Sequence, residues 1–339
     1  MKKLLSVILI FVMAVSVMSL SGCNQTESSA TTQDNYTPDS TLRLLMVGNS
    51  YCYYYVEELY ELLMENPPEG IEAVEVYNLY YPGCPLTNHL DWWREGEAKY
   101  DLFKTDATGR HQIEPVKGWS LDHALMMADW DYISLQGGVS GGGFLDENKL
   151  AFSMKMVPAI AEPLFDMFHE KFPHAQLLWH NTWHSEVGRI LDDDGYIVVE
   201  DNSALYDANI KKLGDYLSGE FSQKKPYDIT VVHSGVAWTK ARELNKTRQL
   251  LPYGGLCARL GYAKYGDQLP HSGDGFHDGD IGGAQLLNAY MWYMTITGNH
   301  DLSGSAYIPT YTYSKTGEAF PLSPEMVDML KEAAMSVIG

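Results

Sequence analysis

From residue 42 onward, short apolar runs of strand length alternate with segments of helical period. LRLLMV (42–47), IEAVEVYNL (71–79), DYISLQ (131–136), AQLLWH (175–180) and DITVV (228–232) read as strands. Between them, YYVEELYELLMEN (54–66), SLDHALMMAD (120–129), a long stretch over 148–172 and another over 204–217 carry apolar residues at helical spacing, and a final helical region is expected over 281–297. Pro158 and Pro163 are expected to bend the long stretch. Strands that alternate with helices predict a parallel sheet covered on both faces. Five of them suit a doubly wound, flavodoxin-like α/β/α sandwich in three layers with a five-stranded parallel sheet. YYPGCPLTNH (80–89) reads as a loop, and 185–202 and 250–270 read as insertions or long loops of the kind that shape substrate pockets.

The first strand poses a local question. In LRLLMVGNSYCYYYVEEL (42–59) the apolar run stops at Gly48 and is followed at once by Asn49 and Ser50 before the helical pattern begins. Open α/β sheets bind ligands beyond the carboxyl ends of their strands, so Ser50 is a candidate nucleophile. The alternative is that Asn49 and Ser50 only turn the chain and cap the following helix, which such residues often do.

The amino terminus has a different composition. MKK is followed by the apolar LLSVILIFVMAVSVM and then by Leu20-Ser21-Gly22-Cys23, the layout of an export signal. Leu-Ser-Gly-Cys resembles the bacterial lipobox, which implies cleavage before Cys23, lipid on its sulfur, and a protein held outside the cytoplasmic membrane of a bacterium. Residues 1–22 are then a signal segment, 23–41 a polar Ser/Thr-rich tether, and 42–339 one catalytic-sized domain. The formal net charge of −20 becomes −22 once Lys2 and Lys3 leave with the signal, which argues against nucleic acid as a partner. Of four cysteines, Cys52, Cys84 and Cys257 remain for the folded part, and no two share a zinc-like spacing. Cys52 and Cys84 could pair, but buried small apolar side chains are the plainer expectation.

Near the end, GDGFHDGDIGGAQLLNAYMWYM places Asp274 and His277 three apart on one loop before a helix. A serine nucleophile needs an imidazole to take its proton and a carboxylate to hold the imidazole tautomer, and this loop can supply both. MVGNSY at the first strand end together with DGFH before the last long helix resembles blocks I and V of the SGNH hydrolases, the GDSL-like esterases and lipases. The resemblance implies Ser50 as nucleophile, His277 as general base and Asp274 as its orienting partner. It also implies an oxyanion hole from the backbone N–H groups of Ser50 and Gly83. The third block, usually Gly-x-Asn-Asp, reads SLQGG here, so that Gln136 stands where the family's asparagine donates its amide. No cofactor or metal is implied, and the substrate is a small or glycan ester.

Other motifs compete. Gly138-Val139-Ser140-Gly141-Gly142 fits the nucleophile elbow G-x-S-x-G, but Ser140 is followed by further glycines, which start helices poorly. His180 and His184 in LLWHNTWHS would share one face of a helix as metal ligands, yet the LLW before them reads as strand, which makes His180 a pocket-lining or supporting residue. Tyr51 and His233, each at a strand end, are further candidates for the pocket wall. The aromatic clusters Tyr53-Tyr54-Tyr55, Tyr80-Tyr81 and Trp92-Trp93 suit stacking on sugar rings, although most such residues serve packing. A glycan-binding lipoprotein without turnover is the reading from another class.

Overall fold

A computed structural model describes residues 39–136, 147–183, 203–250, 283–312 and 319–338. The five expected strands are present: β1 (Thr41–Gly48), β2 (Ala73–Tyr80), β5 (Tyr132–Gln136), β6 (Gln176–His180) and β7 (Ile229–Val232). All are parallel neighbours in the order β2-β1-β5-β6-β7. Among the described residues the sheet nevertheless has seven strands, not five. β3 (Asp101–Asp106) and β4 (Gly109–Ile113) form an antiparallel hairpin that extends it beyond β2. This edge is half-solvated, with polar residues alternating along DLFKTD and GRHQI, so it lacks the continuous apolar run of a strand buried on both faces.

The pleat of β1 explains the layering. Leu42, Leu44 and Met46 enter one core and Leu45 and Val47 the other, because successive side chains point to opposite faces. The first face is covered by α1 (Val56–Glu65), α6 (Ser234–Arg248), α7 (Gly283–Thr297) and α8 (Pro324–Ile338). The second is covered by α2 (Leu86–Glu95), α3 (Leu121–Leu125), α4 (Glu147–Lys171) and α5 (Ser203–Tyr216). The fold is thus an α/β sandwich with a mostly parallel central sheet.

Three local features bear on the sequence reading. Leu86–Glu95, whose first four residues fall in the loop expected over 80–89, is helical; Pro85 precedes it in extended backbone and Gly96 closes it at φ 68°. Pro158 and Pro163 sit inside one uninterrupted helix, each removing an i−4 hydrogen bond while Ala161, Leu164, Phe165 and Phe168 stay fully buried. A further helix, α8, follows a short β8–β9 hairpin (Thr310–Thr312 and Ala319–Pro321) and buries Val327, Met329, Leu330 and Ala333.

Candidate active site

The carboxyl ends of β1, β2, β5, β6 and β7 lie along one edge of the sheet, since all five run parallel. Ser50 stands just past β1, at the start of a 3₁₀ turn (Ser50–Cys52), and is 8% exposed. Asn49 caps that turn: its Oδ1 accepts from the Tyr51 N–H at 3.0 Å. Asn49 therefore turns the chain as the sequence suggests, but its cap serves this 3₁₀ turn and not α1, whose N-cap Tyr55 makes no side-chain capping bond; Ser50 keeps its strand-end position.

The Asn49 side chain does more than cap. Its Nδ2 donates to the Cys84 carbonyl at 2.9 Å, and its Oδ1 also accepts from the Gln136 amide. One buried amide thus joins the ends of β1 and β5 to the loop after β2. That loop is held a second time, because the Tyr81 N–H donates to the Gly48 carbonyl at 3.3 Å. Within it, Tyr81-Pro82-Gly83-Cys84 closes with the Cys84 N–H on the Tyr81 carbonyl, and Gly83 has φ 62°. Proline then glycine at the two central positions is the signature of a type II turn, whose third residue needs positive φ. Gly83 is required for its backbone, as no atom lies within 4 Å of where a Cβ would be.

Gly48 is glycine for the opposite reason. A Cβ there would come 2.6 Å from Gln136 Oε1 and 2.8 Å from Cys52 Sγ. Gln136 projects under β1 to the same face as His180, its register partner on β6. Both are about 1% exposed. His180 Nε2 lies 3.0 Å from Ser234 Oγ at the start of α6, and burial lowers its pKa to about 3, so the ring is neutral. Rings of Trp292, Tyr55 and Trp183 pack around it at 5.2, 6.0 and 6.1 Å. His180 is at the end of a strand, as expected; the helical spacing that would have paired it with His184 does not exist, and His184 lies outside the described residues.

Tyr51 is 6% exposed and meets Trp183 edge-on at 4.9 Å, a contact that supports the turn. His233 caps α6 at the end of β7, half-buried, with its pKa lowered by burial and then by the charge of Lys211. Cys52 and Cys84 are both free and buried, and burial pushes each thiol to about 12. Of the aromatic clusters, Tyr55 is wholly buried, Tyr53 packs on Tyr80 at 4.6 Å, and the exposed Tyr81 meets Trp92 at 4.8 Å beside Gly83. Arg110, on β4, lies 3.8 Å over the Tyr53 ring and donates to the Tyr53 carbonyl at 2.6 Å. The edge hairpin missed in the sequence therefore braces the segment that follows Ser50.

Another unexpected pair sits behind the Gly83 loop. His89 Nδ1 is 2.8 Å from Tyr100 Oη, and burial lowers this imidazole to about 4. Cys23, Ser140, Cys257, Asp274 and His277 lie outside the described residues. Among the described residues no group of three or more His, Cys, Asp or Glu side chains is placed to hold a metal ion, and no helix is long and apolar enough to cross a membrane.

Comparison with known proteins adds the following. The family described as "Domain of unknown function (DUF4886)" matches residues 43–188, a little under half of the chain, from within β1 to beyond the end of β6. A DUF4886 family protein from Bacteroides uniformis ATCC 8492 is 19% identical and superposes over 88% of this chain and 95% of its own with a TM-score of 0.58, which shows a shared fold. An extracellular lipase from Streptomyces rimosus is 11% identical over 59% of this chain and 83% of its own, with a TM-score of 0.35. An acetyl xylan esterase from Geobacillus stearothermophilus is 12% identical over 75% and 92%, with a TM-score of 0.36. No curated protein matches this chain.

Proposed function

We propose that the protein is a serine ester hydrolase of the SGNH type, exported and held at a bacterial membrane through lipid on Cys23. Ser50 is its nucleophile, His277 the general base and Asp274 the residue that orients His277. Ser50 Oγ attacks the ester carbonyl as His277 takes its proton. His277 then protonates the departing alcohol, and water repeats the sequence to release the acid. The oxyanion faces the backbone N–H groups of Ser50 and Gly83, with the second amide hydrogen of Gln136 as a third donor.

The observation that carries this reading is the Asn49 side chain, which links Ser50's turn to the Gly83 turn and to Gln136. Three loops that must converge on one reacting carbonyl are tied through one residue. The exposed Tyr81, edge to face with Trp92 beside Gly83, supports a sugar ring as part of the substrate, and acetyl or similar acyl groups on glycans as the bond cut.

Hydrolysis of p-nitrophenyl acetate by the wild type, Ser50→Ala and Ser140→Ala tests the reading. Loss of at least ~10³-fold in Ser50→Ala alone is expected, since removing a triad nucleophile costs up to roughly 10⁶ in kcat. Loss in Ser140→Ala instead moves the nucleophile to the Gly-rich loop. No turnover by the wild type on this ester or on acetylated oligosaccharides favours the glycan-binding reading.

A further inference from the structure

Four buried side chains, Asn49, Gln136, His180 and Ser234, stand at or just past the carboxyl ends of four neighbouring strands, and the chemistry of their ends fixes how they must be protonated. The argument starts from Asn49, whose two amide atoms are identified by backbone partners. Oδ1 faces the Tyr51 N–H, which can only donate, and Nδ2 faces the Cys84 carbonyl, which can only accept. Since Gln136 reaches Asn49 Oδ1, the atom it presents there must be Nε2. Its Oε1, which lies against Gly48 and Cys52, is fully buried and has no hydrogen-bond partner. A buried carbonyl oxygen left so is costly, and it requires a donor.

The donor at hand is His180. It is the register partner of Gln136 on the adjacent strand, so the two Cα atoms are about 4.8 Å apart and both side chains point to the same face. His180 Nδ1 is likewise buried and unpaired, whereas Nε2 already contacts Ser234 Oγ. An acceptor without a donor and a ring nitrogen without a partner thus belong to paired positions of adjacent strands.

We infer that Ser234, His180, Gln136 and Asn49 form one directional hydrogen-bond relay, in which Ser234 Oγ–H donates to His180 Nε2, His180 Nδ1–H donates to Gln136 Oε1 directly or through one water, and Gln136 Nε2–H donates to Asn49 Oδ1. Only the Nδ1–H tautomer satisfies every member. The relay crosses the ends of β7, β6, β5 and β1 and ends at the Cys84 carbonyl beside Gly83. His180 and Ser234 are accordingly positioning residues: they hold the Gln136 amide plane, and through it the Asn49 clamp on the Ser50 turn. The kinetic consequence rests on the proposed esterase reading; the tautomer does not. The competing donors are the indole N–H groups of Trp183 and Trp292, which are also buried and unpaired and belong to rings 6.1 and 5.2 Å from His180.

The test is nitrogen NMR of the protein labelled with ¹⁵N-histidine, with His180 assigned by its disappearance in His180→Gln. At pH 7 His180 is expected as a neutral ring with a protonated Nδ1 and a bare Nε2. Ser234→Ala removes the donor to Nε2 and should move the population toward Nε2–H, while Ser234→Thr, which keeps the hydroxyl, should preserve the wild-type tautomer. If Ser234→Ala does not fold, the wild type and Ser234→Thr still decide. An Nε2–H tautomer in the wild type, or no response to Ser234→Ala, overturns the relay and leaves an indole as the donor to Gln136. In ester hydrolysis Ser234→Ala should lower kcat about 10- to 100-fold with KM nearly unchanged, as small misplacement of catalytic groups does, and Ser234→Thr should restore it. The predicted tautomer in a protein that hydrolyses no ester would retain the relay and reject the esterase.

Discussion

Gly48→Ala is the sharpest perturbation of the site's scaffold. Gly48 has no positive φ, so alanine meets no backbone strain there, and Gly→Ala would by itself stabilise by about 0.4–1 kcal/mol through the unfolded chain. The added Cβ, however, would stand 2.6 Å from Gln136 Oε1 and 2.8 Å from Cys52 Sγ, both buried. Overpacking of this kind costs about 1–3 kcal/mol. Moving Gln136 aside also breaks its bond to Asn49, and a buried group left unpaired costs about 1–3 kcal/mol more. The unfavourable effects win, with a net loss of about 2–4 kcal/mol. Urea unfolding of the wild type, Gly48→Ala, Gln136→Ala and the double variant forms a cycle that isolates the contact. Trimming Gln136 removes the obstacle, so the double variant should lose less than the sum of the two by about 1–2 kcal/mol. Additive losses within about 0.5 kcal/mol would show that Gly48 and Gln136 do not meet as described.

Acid should destabilise the protein in a defined window. His180 and His89 are held at about 3 and about 4, below the ordinary 6.5, so the unfolded chain binds more protons than the folded one between those values. Their contribution is fully present above pH 6.5 and is lost as the pH falls toward 4, each with a slope approaching ~1.4 kcal/mol per pH unit. Asp207, raised by burial to about 6, acts in the opposite sense between about 4 and 6, but one carboxyl does not offset two imidazoles. Denaturant midpoints measured from pH 7 to 4 should fall, and His89→Gln should flatten the fall; a flat wild-type profile contradicts both burials. The thiols of Cys52 and Cys84 are held near 12, so iodoacetamide at pH 8 should leave both unmodified in the folded protein and label both in urea. Labelling of either in the native state at the rate of a free thiol contradicts the packing. Arg110→Met keeps much of the stacking area on Tyr53 but loses the bond to its carbonyl, and should cost about 1–3 kcal/mol in the same unfolding assay. No loss would remove the β3–β4 hairpin from the support of the Ser50 turn.

The parts of this fold legible in the sequence are those whose signal is local and strong. The five parallel strands are buried on both faces, and LRLLMV or QLLWH can be read without knowing their neighbours. The strands β3 and β4 carry Lys104, Asp106, Arg110 and Gln112 among few apolar residues, because they face water at the sheet edge. Their one strong signal was the Asp106-Ala107-Thr108-Gly109 connection, where Gly109 has φ 93° and the Thr108 N–H bonds the Asp106 carboxylate. The helix α8 also carries a local signal: Pro324 and Glu325 open it and apolar residues recur at helical spacing after them. At the site, Ser50 is marked by the end of an apolar run, whereas Gly83 enters through the family resemblance alone. That Asn49 turns the chain is equally visible, although its cap falls on the 3₁₀ turn and not on α1. Its bonds to Cys84 and Gln136, 35 and 87 residues away, were not, since nothing in a local pattern records which loops a fold will bring together.

The central claim is that Ser50 is the reacting nucleophile. A fluorophosphonate probe, which forms a stable adduct only with an activated serine, tests it without knowledge of the substrate. Incubation with the native protein, proteolysis and mass spectrometry should locate one phosphonyl group on Ser50, and none after heat denaturation. An adduct on Ser140, or an unmodified Ser50 in a preparation that hydrolyses esters, would contradict the account.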